Sequence, residues 1–399
     1  MTLLRKYEKK LWPIVEGEYE DRLEGWQSIN HKILKVVRPV SYPLKRIIEA
    51  WNVTRKYGPT VEKQARVATW RQLLHQLLLY AKYGLPPTSY YKFRLFHRSH
   101  RRKLQFYVHH KQMNVLLKGL NIVCNAEYEV LLLRDKVSFF KHCRRHDIYT
   151  PSIILAFRER NEISHDISQK ESLPKKSLFS KPVTGEQGHG AQCWSYVENE
   201  DKYKDGEGRL FTEAELKTTL RYHSRKQRIV LQTKIQNNPK LKSLTGESFC
   251  VARMITGRQP EGQARHLISS LRLSANGGAT SNFAAGGIGA PIDASTGRLG
   301  MGYYKKEIGE VERHPSTGER IVDFQLPDWQ EAVRLVERAH GTLSELHFVG
   351  WDVVFTESGP SILEGNTGFG AEVLQIPHRQ PLGLTDFSDY YSVCLEYYG

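Results

Sequence analysis

The sequence predicts an α+β protein: a largely helical, basic N-terminal region followed by a domain that mixes long strands with helices. Two observations predict it. Up to about residue 120, apolar residues recur three and four apart, the period of helices that bury one face; beyond it, short apolar runs alternate with helical stretches and glycine-rich turns. The charge divides near the same place. Of the 58 Lys and Arg and 43 Asp and Glu, residues 1–150 hold 29 and 12, and residues 151–399 hold 29 and 31. The net charge of +15 therefore resides in the first part. Such a surface suits an anionic membrane surface or an acidic polymer, with nucleic acid not expected, and it also serves simply to keep helix exteriors solvated.

In chain order, helices are expected over 18–36, 40–57, 61–83 and 104–118, broken at Gly58-Pro59 and at Gly84-Leu85-Pro86-Pro87. His97, His100, His109 and His110 cluster here in basic surroundings with no nearby carboxylate, so they read as solvent-facing and not as a metal site. Strands follow at 149–157, 229–235, 249–256, 267–273, 348–356 and 361–363, with helices at 135–145, 212–223, 327–343 and 385–397. The polar stretch 158–177 has the composition of a mobile connection. The division expected is 1–120 for the helical region and 121–399 for the mixed domain. No run approaches the roughly 20 apolar residues that cross a bilayer. Residues 1–12 carry Arg5, Lys6, Lys9 and Lys10 where a secretion signal has its apolar core. Five scattered cysteines without C-x-x-C spacing read as reduced thiols. A cytoplasmic location follows as the expectation, peripheral at most to the inner face of a membrane.

The sharpest chemical signal lies near the C-terminus. Strand 348–356 turns through Glu357-Ser358-Gly359-Pro360 and returns through Ser361-Ile362-Leu363-Glu364-Gly365-Asn366. Such a hairpin lets Asp352 and Glu364 project toward one end, with Asn366 two residues on and on the same face. Two carboxylates and a carboxamide oxygen are hard ligands suited to Mg²⁺, and acids in otherwise apolar strands are costly without a partner. Upstream, Lys181-Pro182 ends a short strand and leads into a loop holding Gly185, Gly188, His189 and Gly190, able to cradle phosphates with backbone N–H groups. It has neither the Gly-Lys-Ser/Thr of a P-loop nor a G-x-G-x-x-G. Arg253 and Arg272 lie on predicted strands, followed by Asn282, and suit charge that develops on a phosphoryl group or a tetrahedral carbon.

These residues occur in an order that resembles the ATP-grasp superfamily. Lys136 after Asp135, Lys181-Pro182 with its glycine loop, the strand at 231–235, the arginine strands and then Asp352 … Glu364-x-Asn366 succeed one another. The last spacings are similar to the metal triad of D-alanine–D-alanine ligases, and Asn282-Phe283-Ala284-Ala285-Gly286-Gly287 is similar to ribosomal-protein glutamate ligases. A narrower likeness, over about 130–375, is to the sugar-transfer-associated ATP-grasp family. Gly350-Trp351-Asp352, Glu364-Gly365-Asn366, Ser281-Asn282-Phe283 and His314-Pro315-Ser316-Thr317-Gly318 carry it. Cys250-Val251-Ala252 before Arg253, and Ser281, depart from that pattern.

The resemblance implies an ATP-grasp fold, two α+β subdomains clasping ATP about a hinge near 229–236. It implies that Lys136 and Lys181 contact the phosphates, with Gly185, Gly188, His189 and Gly190 closing over them. Gln232, Thr233, Lys234 and Ile235 would offer backbone groups to the adenine edge. Asp352, Glu364 and Asn366 would hold Mg²⁺, and Arg253 and Arg272, with Asn282 nearby, would steady the transferred phosphoryl group. The implied activity is ATP-dependent ligation of a carboxylate to an amine through an acyl phosphate, with small-molecule, sugar or peptide substrates from cell-surface polysaccharide or natural-product synthesis. A kinase of the same fold and a non-catalytic nucleotide-binding module are the alternatives. Asp352→Asn and Lys181→Ala are expected to abolish turnover and leave the fold intact.

Overall fold

The computed structural model describes residues 11, 26–158, 161–164, 172–184, 190–275, 286–305 and 308–398. Their strands form two antiparallel sheets. The first comprises β1 (Ile153–Arg158), β2 (Asn161–Ser164), β3 (Leu178–Pro182), β4 (Gln192–Val197), β5 (Lys202–Lys204), β6 (Leu210–Phe211) and β7 (Ile229–Thr233), in the order β2-β1-β7-β3-β4-β5-β6. The second comprises β8 (Val251–Gly257), β9 (Arg265–Leu273), β10 (Ile288–Ile292), β11 (Gly302–Tyr304), β12 (Glu310–Val311), β13 (Phe348–Thr356) and β14 (Gly359–Asn366), in the order β12-β11-β10-β9-β8-β13-β14. Residues 234–238 carry the chain from one sheet to the other, where the backbone N–H of Asn238 donates to Phe355 O (2.7 Å) at the end of β13.

Helices cover both faces of each sheet because the strands are apolar on both. On the first sheet, helix Glu213–His223 buries Leu216 and Leu220 against Trp194, Phe157 and Leu231, while helix Lys136–Arg145 buries Val137 and Phe140 against Ile153, Ala156 and Val230. A reciprocal box starts the first of these: Thr212 N donates to the Glu215 carboxylate (2.8 Å) and Glu215 N to Thr212 Oγ1 (3.3 Å). On the second sheet, Met254, Val349, Trp351 and Val353 face helix Trp329–Gly341, whereas Ile255, Ile268 and Phe348 face Phe387 and Tyr391 of helix Asp386–Tyr398 and Leu116 of helix His110–Val123. Period-two alternation thus assigns Trp351 and Val353 to one face and Asp352, between them, to the other.

The N-terminal helices are packed onto this frame. Tyr90, Phe93, Phe96 and Tyr107 share a core with Tyr303 and Ile376, and Glu372 receives ion pairs from Lys92 and Lys305, both at 2.9 Å. Gln375 donates to Val108 O (2.8 Å) and accepts from Val108 N (3.0 Å).

Several local expectations are corrected. Helix Trp26–Ala65 runs straight through Gly58-Pro59, and the chain breaks instead at Arg66, which takes a φ of +53°. Gly58 marks a close approach and not a break, since a Cβ there would meet Thr69 Cγ2 of the next helix at 2.9 Å. The helix expected at 104–118 is displaced to His110–Val123, after a single 3₁₀ turn at Leu104–Phe106. The start of the polar stretch after 157 is a hairpin, with Arg158 opposite Asn161 and Phe157 opposite Glu162, because pairing satisfies a backbone that composition alone reads as loop. His97 and His100 are half-buried among aromatic rings, with His100 Nδ1 3.1 Å from Tyr107 Oη, so they are not solvent-facing. Burial first, and then His97 and the cations Arg379, Arg94 and Lys103, hold His100 down to about 4. His109 N donates to Gln112 Oε1 at 3.4 Å; the side chain of His110 lies outside the described residues. Four of the five cysteines are buried and all are free thiols.

His340 locks the second core. Its Nε2 meets Leu346 O (2.9 Å), which only accepts, so Nδ1 accepts from Thr256 Oγ1 (2.7 Å), and Thr256 Oγ1 in turn accepts from Trp351 Nε1 (2.8 Å). Burial holds this imidazole down to about 4 against the hydrogen bond to Leu346. On acidification the unfolded chain therefore takes up the proton first, and stability present above the ordinary histidine value is lost as the pH falls toward 4, by up to about 3 kcal/mol. Melting midpoints are expected to fall steadily from about pH 7 to about pH 5; a flat profile there would contradict this assignment of His340.

Candidate functional site

The second sheet builds one side of the site. Asp352 lies opposite Arg253 on β8 and opposite Glu364 on β14, so all three side chains share a face. The ladder slips one residue immediately after that pair, with Val353 opposite Ile362. Arg253 Nε donates to Asp352 Oδ1 (2.6 Å) and Arg272 Nη2 to Oδ2 (2.7 Å), so one carboxylate holds two guanidinium groups from neighbouring strands. Burial alone would raise the Asp352 carboxyl; the charges of Arg253 and Arg272 and their hydrogen bonds outweigh it and hold the group down to about 2. Glu364 moves the other way, pushed up by burial and by Asp352, with Lys181, Lys136 and Arg253 opposing. Asn366 Nδ2 donates to Gly350 O (3.2 Å), which makes Oδ1 its metal-facing candidate atom.

The first sheet and the helix packed on it supply the lysines. Lys181 sits near the end of β3 opposite Val230 of β7. Burial lowers its ammonium to about 8, with Lys136 adding to the shift and Glu364 and Asp352 resisting it. Lys136 is held by its surroundings: Asp135 caps helix Lys136–Arg145 by accepting from Val137 N (3.0 Å) and Ser138 N (2.9 Å), and Lys136 Nζ donates to Val183 O (3.2 Å). The other Asp135 oxygen accepts from Arg228 Nη1 at 2.6 Å. Asp135 and Arg228 are positioning residues: the reading of the sequence named Asp135 only as the neighbour of Lys136 and passed over Arg228. Asp before an apolar-periodic helix is a capping signal, whereas Arg228 carries no local signal at all.

The arrangement concentrates four cations, Lys136, Lys181, Arg253 and Arg272, around two carboxylates. Among the described residues, Arg272 Nε and Ser270 Oγ are buried without a hydrogen-bond partner, donors that an anionic ligand would satisfy. No three His, Cys, Asp or Glu side chains gather into a metal cluster among the described residues. Asp352, Glu364 and Asn366 fit a hard cation that takes its remaining oxygens from phosphate and water. Gly190 has a φ of +74°, which glycine adopts without strain; Gly185, Gly188, His189 and Asn282 lie outside the described residues. Gln232 does not stand where backbone groups are on offer. It is opposite both Ile153 and Phe179 within the sheet, and its side chain donates to Pro151 O (3.1 Å). Thr233 ends the strand, and Lys234 and Ile235 begin the crossing between sheets. Two surface concavities elsewhere, of about 430 Å³ beside Asp293 and about 450 Å³ beside Arg265, share no residue with this cluster.

A sheet and helix bearing lysines set against a sheet bearing arginines and paired acids is the arrangement of an ATP-grasp protein. The chain belongs to the sugar-transfer associated ATP-grasp family, whose model matches residues 118–385. Among solved structures it is similar to an L-amino acid ligase from Bacillus licheniformis, at 14% identity, with 62% of this chain and 43% of that one covered and a TM-score of 0.34. It is similar to a D-alanine–D-alanine ligase from Bacillus anthracis at 14% identity, 67% coverage of each chain and a TM-score of 0.36. An N5-carboxyaminoimidazole ribonucleotide synthetase is similar at 11% identity, with 59% of this chain and 45% of that one covered and a TM-score of 0.33. The matched part thus spans under half the length of two of these three structures. No curated protein matches the chain.

The shared carboxylate revises the expected behaviour of Asp352→Asn. Removing its charge strands two guanidinium groups, one of them on the fully buried strand β8, and such a loss typically costs about 3–5 kcal/mol. The variant is expected to show a clearly lower urea midpoint, partly recovered when Arg253→Met is added. An unchanged midpoint would mean that the arginines find other partners.

Proposed function

We propose that the chain is an ATP-dependent ligase that activates a carboxylate as an acyl phosphate and passes the acyl group to an amine, releasing ADP and phosphate. One observation carries the reading: Lys181 of the first sheet interacts electrostatically with Glu364 and Asp352 of the second, so polyphosphate bound between the sheets meets cations from both. Lys136 and Lys181 would hold the phosphates, with the backbone of Lys234 and Ile235 edging the adenine. Bound at Asp352, Glu364 and Asn366, Mg²⁺ would offset phosphate charge. As the substrate carboxylate oxygen bonds to the γ-phosphorus and the bond to ADP breaks, Arg253 and Arg272 would stabilise charge on the transferring group. Arg272 has an unpartnered Nε for this purpose, and Asp352 keeps both guanidinium groups aimed beforehand. The amine nitrogen then attacks the acyl carbon, phosphate leaves, and the amine proton passes to solvent. The family description, sugar-transfer associated, supports a sugar or sugar acid as one substrate and a place in cell-surface polysaccharide synthesis.

The test is nucleotide turnover with pooled acidic sugars and amino acids, scoring ADP and AMP separately. Substrate-dependent ADP is the expected result, with Lys181→Ala slower by about 10²-fold or more; AMP with pyrophosphate would overturn the acyl-phosphate mechanism.

A pH dependence follows from Lys181. In the free protein its ammonium loses its proton near pH 8, and bound polyphosphate favours the charged form. Nucleotide binding is therefore expected to take up a proton and to weaken as the pH rises through about 8, while Lys181→Arg flattens the profile. Calorimetry in two buffers of different ionisation heat measures the uptake directly; no difference between buffers would count against the assignment.

A further inference from the structure

The helical hairpin made by Trp26–Ala65 and Thr69–Tyr83 buries polar groups and exposes large apolar ones. Between its helices Gln72, Gln76 and Thr54 are buried beside Ala50 and Val61. Gln72 and Gln76 are the buried residues of the second helix, and Thr54 is buried on the first. Gln72 Nε2 donates to Gly58 O (3.0 Å), Gln76 Nε2 to Thr54 Oγ1 (2.6 Å), and Tyr91 Oη to Gln72 Oε1 (3.0 Å). The exterior carries apolar rows among its charged residues. Leu44, Ile47, Ile48 and Trp51 are exposed at helical spacing on one helix, and Trp70, Leu74 and Leu78 on the other, with the tryptophans 59% and 63% exposed.

Thr54 and Gly58 face the second helix and Tyr57 faces Tyr91, so at about 100° per residue the stripe of the first helix continues past Thr54 and Gly58, away from Tyr57. On the second helix Gln72 and Gln76 face the first and His75 meets Tyr90, so by the same count Trp70 and Leu74 lie on the flank farthest from the first helix, with Leu78 turned from there toward the His75 side. The first stripe therefore lies on the side of the hairpin turned from helix Pro87–Lys92, and Trp70 and Leu74 run along the outer edge of that side.

That face is framed by positive charge. Residues 44–83 contain eight Lys or Arg and two Asp or Glu. Both acids are engaged within the hairpin, Glu49 with Arg46 and Glu62 with Thr69. Arg71 lies over the Trp70 ring (5.2 Å to its centroid) and Lys82 over Tyr83 (5.3 Å), placing cations beside the aromatic edge. Exposed tryptophan and leucine bordered by Lys and Arg form the pattern of helices that lie in a bilayer interface, and the aromatic–cation pairs match the headgroup level. No helix among the described residues is long and apolar enough to cross a membrane. A second copy of the chain is disfavoured as the occupant, because a two-fold contact would set this net positive patch against itself.

We propose that this side of the hairpin is a docking surface for an anionic phospholipid bilayer, lying in the plane of the interface with Trp51 and Trp70 inserted and Leu74 at its edge. The surface is independent of the chemistry assigned to the nucleotide site and stands or falls separately. The test uses the full chain and sucrose-loaded vesicles of phosphatidylcholine mixed with phosphatidylglycerol, against phosphatidylcholine alone. Co-sedimentation with the anionic vesicles, weakened by added salt, is expected. Trp51→Glu combined with Leu74→Glu should lower that partition by about tenfold or more and leave the melting midpoint unchanged, since both side chains are exposed. Arg71→Glu, which keeps the apolar face, should lower binding to the anionic vesicles only. Failure of the wild type to sediment with them, or equal partition of the doubly substituted chain, would overturn the proposal. So would a concentration-dependent dimer in sedimentation velocity that the substitutions abolish while vesicle binding is absent.

Discussion

The carboxylate of Asp352, shared between Arg253 and Arg272, is the interaction on which the site depends. It joins β13 to β8 directly and reaches β9 beyond it, so three strands are tied at the level where Glu364 enters from β14. A carboxylate this deeply buried is tolerated only with partners, and here it has two cations, each with a short hydrogen bond. The same contacts aim both guanidinium groups before any ligand arrives. Opposite faces of one strand divide the labour: Trp351 and Val353 hold the core while Asp352 holds the arginines.

Around that clamp the two sheets adjust each other's charge. Glu364 feels Asp352 and is pushed toward its neutral form; Lys181, buried against them, is pushed toward its own. Both shifts come from burial first, which penalises the charged forms. On the proposed reading, polyphosphate with a divalent cation would offer each of these groups the opposite charge. Asp135 and Arg228 act one step further out, anchoring the helix start from which Lys136 projects.

The N-terminal helices serve two surfaces at once. Inward, aromatic rings and Gln375 hold them to the second sheet, and Glu372 draws Lys92 and Lys305 together. Outward, the hairpin satisfies Gln72 and Gln76 between its own helices and exposes rows that include Trp51 and Trp70. Such exposure costs burial energy in water unless something apolar covers those rows.

In the ladder a one-residue slip, and not the turn, sets Asp352 opposite Glu364, and helices run on to Arg145 before the first strand begins at Ile153. Sequence alone determined that a helical first part gives way to mixed helix and strand and that Asp352 and Glu364 belong to one hairpin, both signals of local period and a short turn. It also placed helices Glu213–His223 and Asp386–Tyr398 within a residue or two, because caps and apolar spacing are local. Tertiary structure alone decided that Arg253 and Arg272 share one carboxylate, that Arg228 supports Asp135, and that Gln232 sits inside a sheet. Each of those contacts joins residues some 80 to 100 positions apart, or depends on which strands become neighbours, and no spacing along the chain encodes it. The N-terminal hairpin is the sharpest case: its leucines and tryptophans have helical spacing in the sequence, but only packing showed that Gln72 and Gln76 face inward while Trp51 and Trp70 stay exposed.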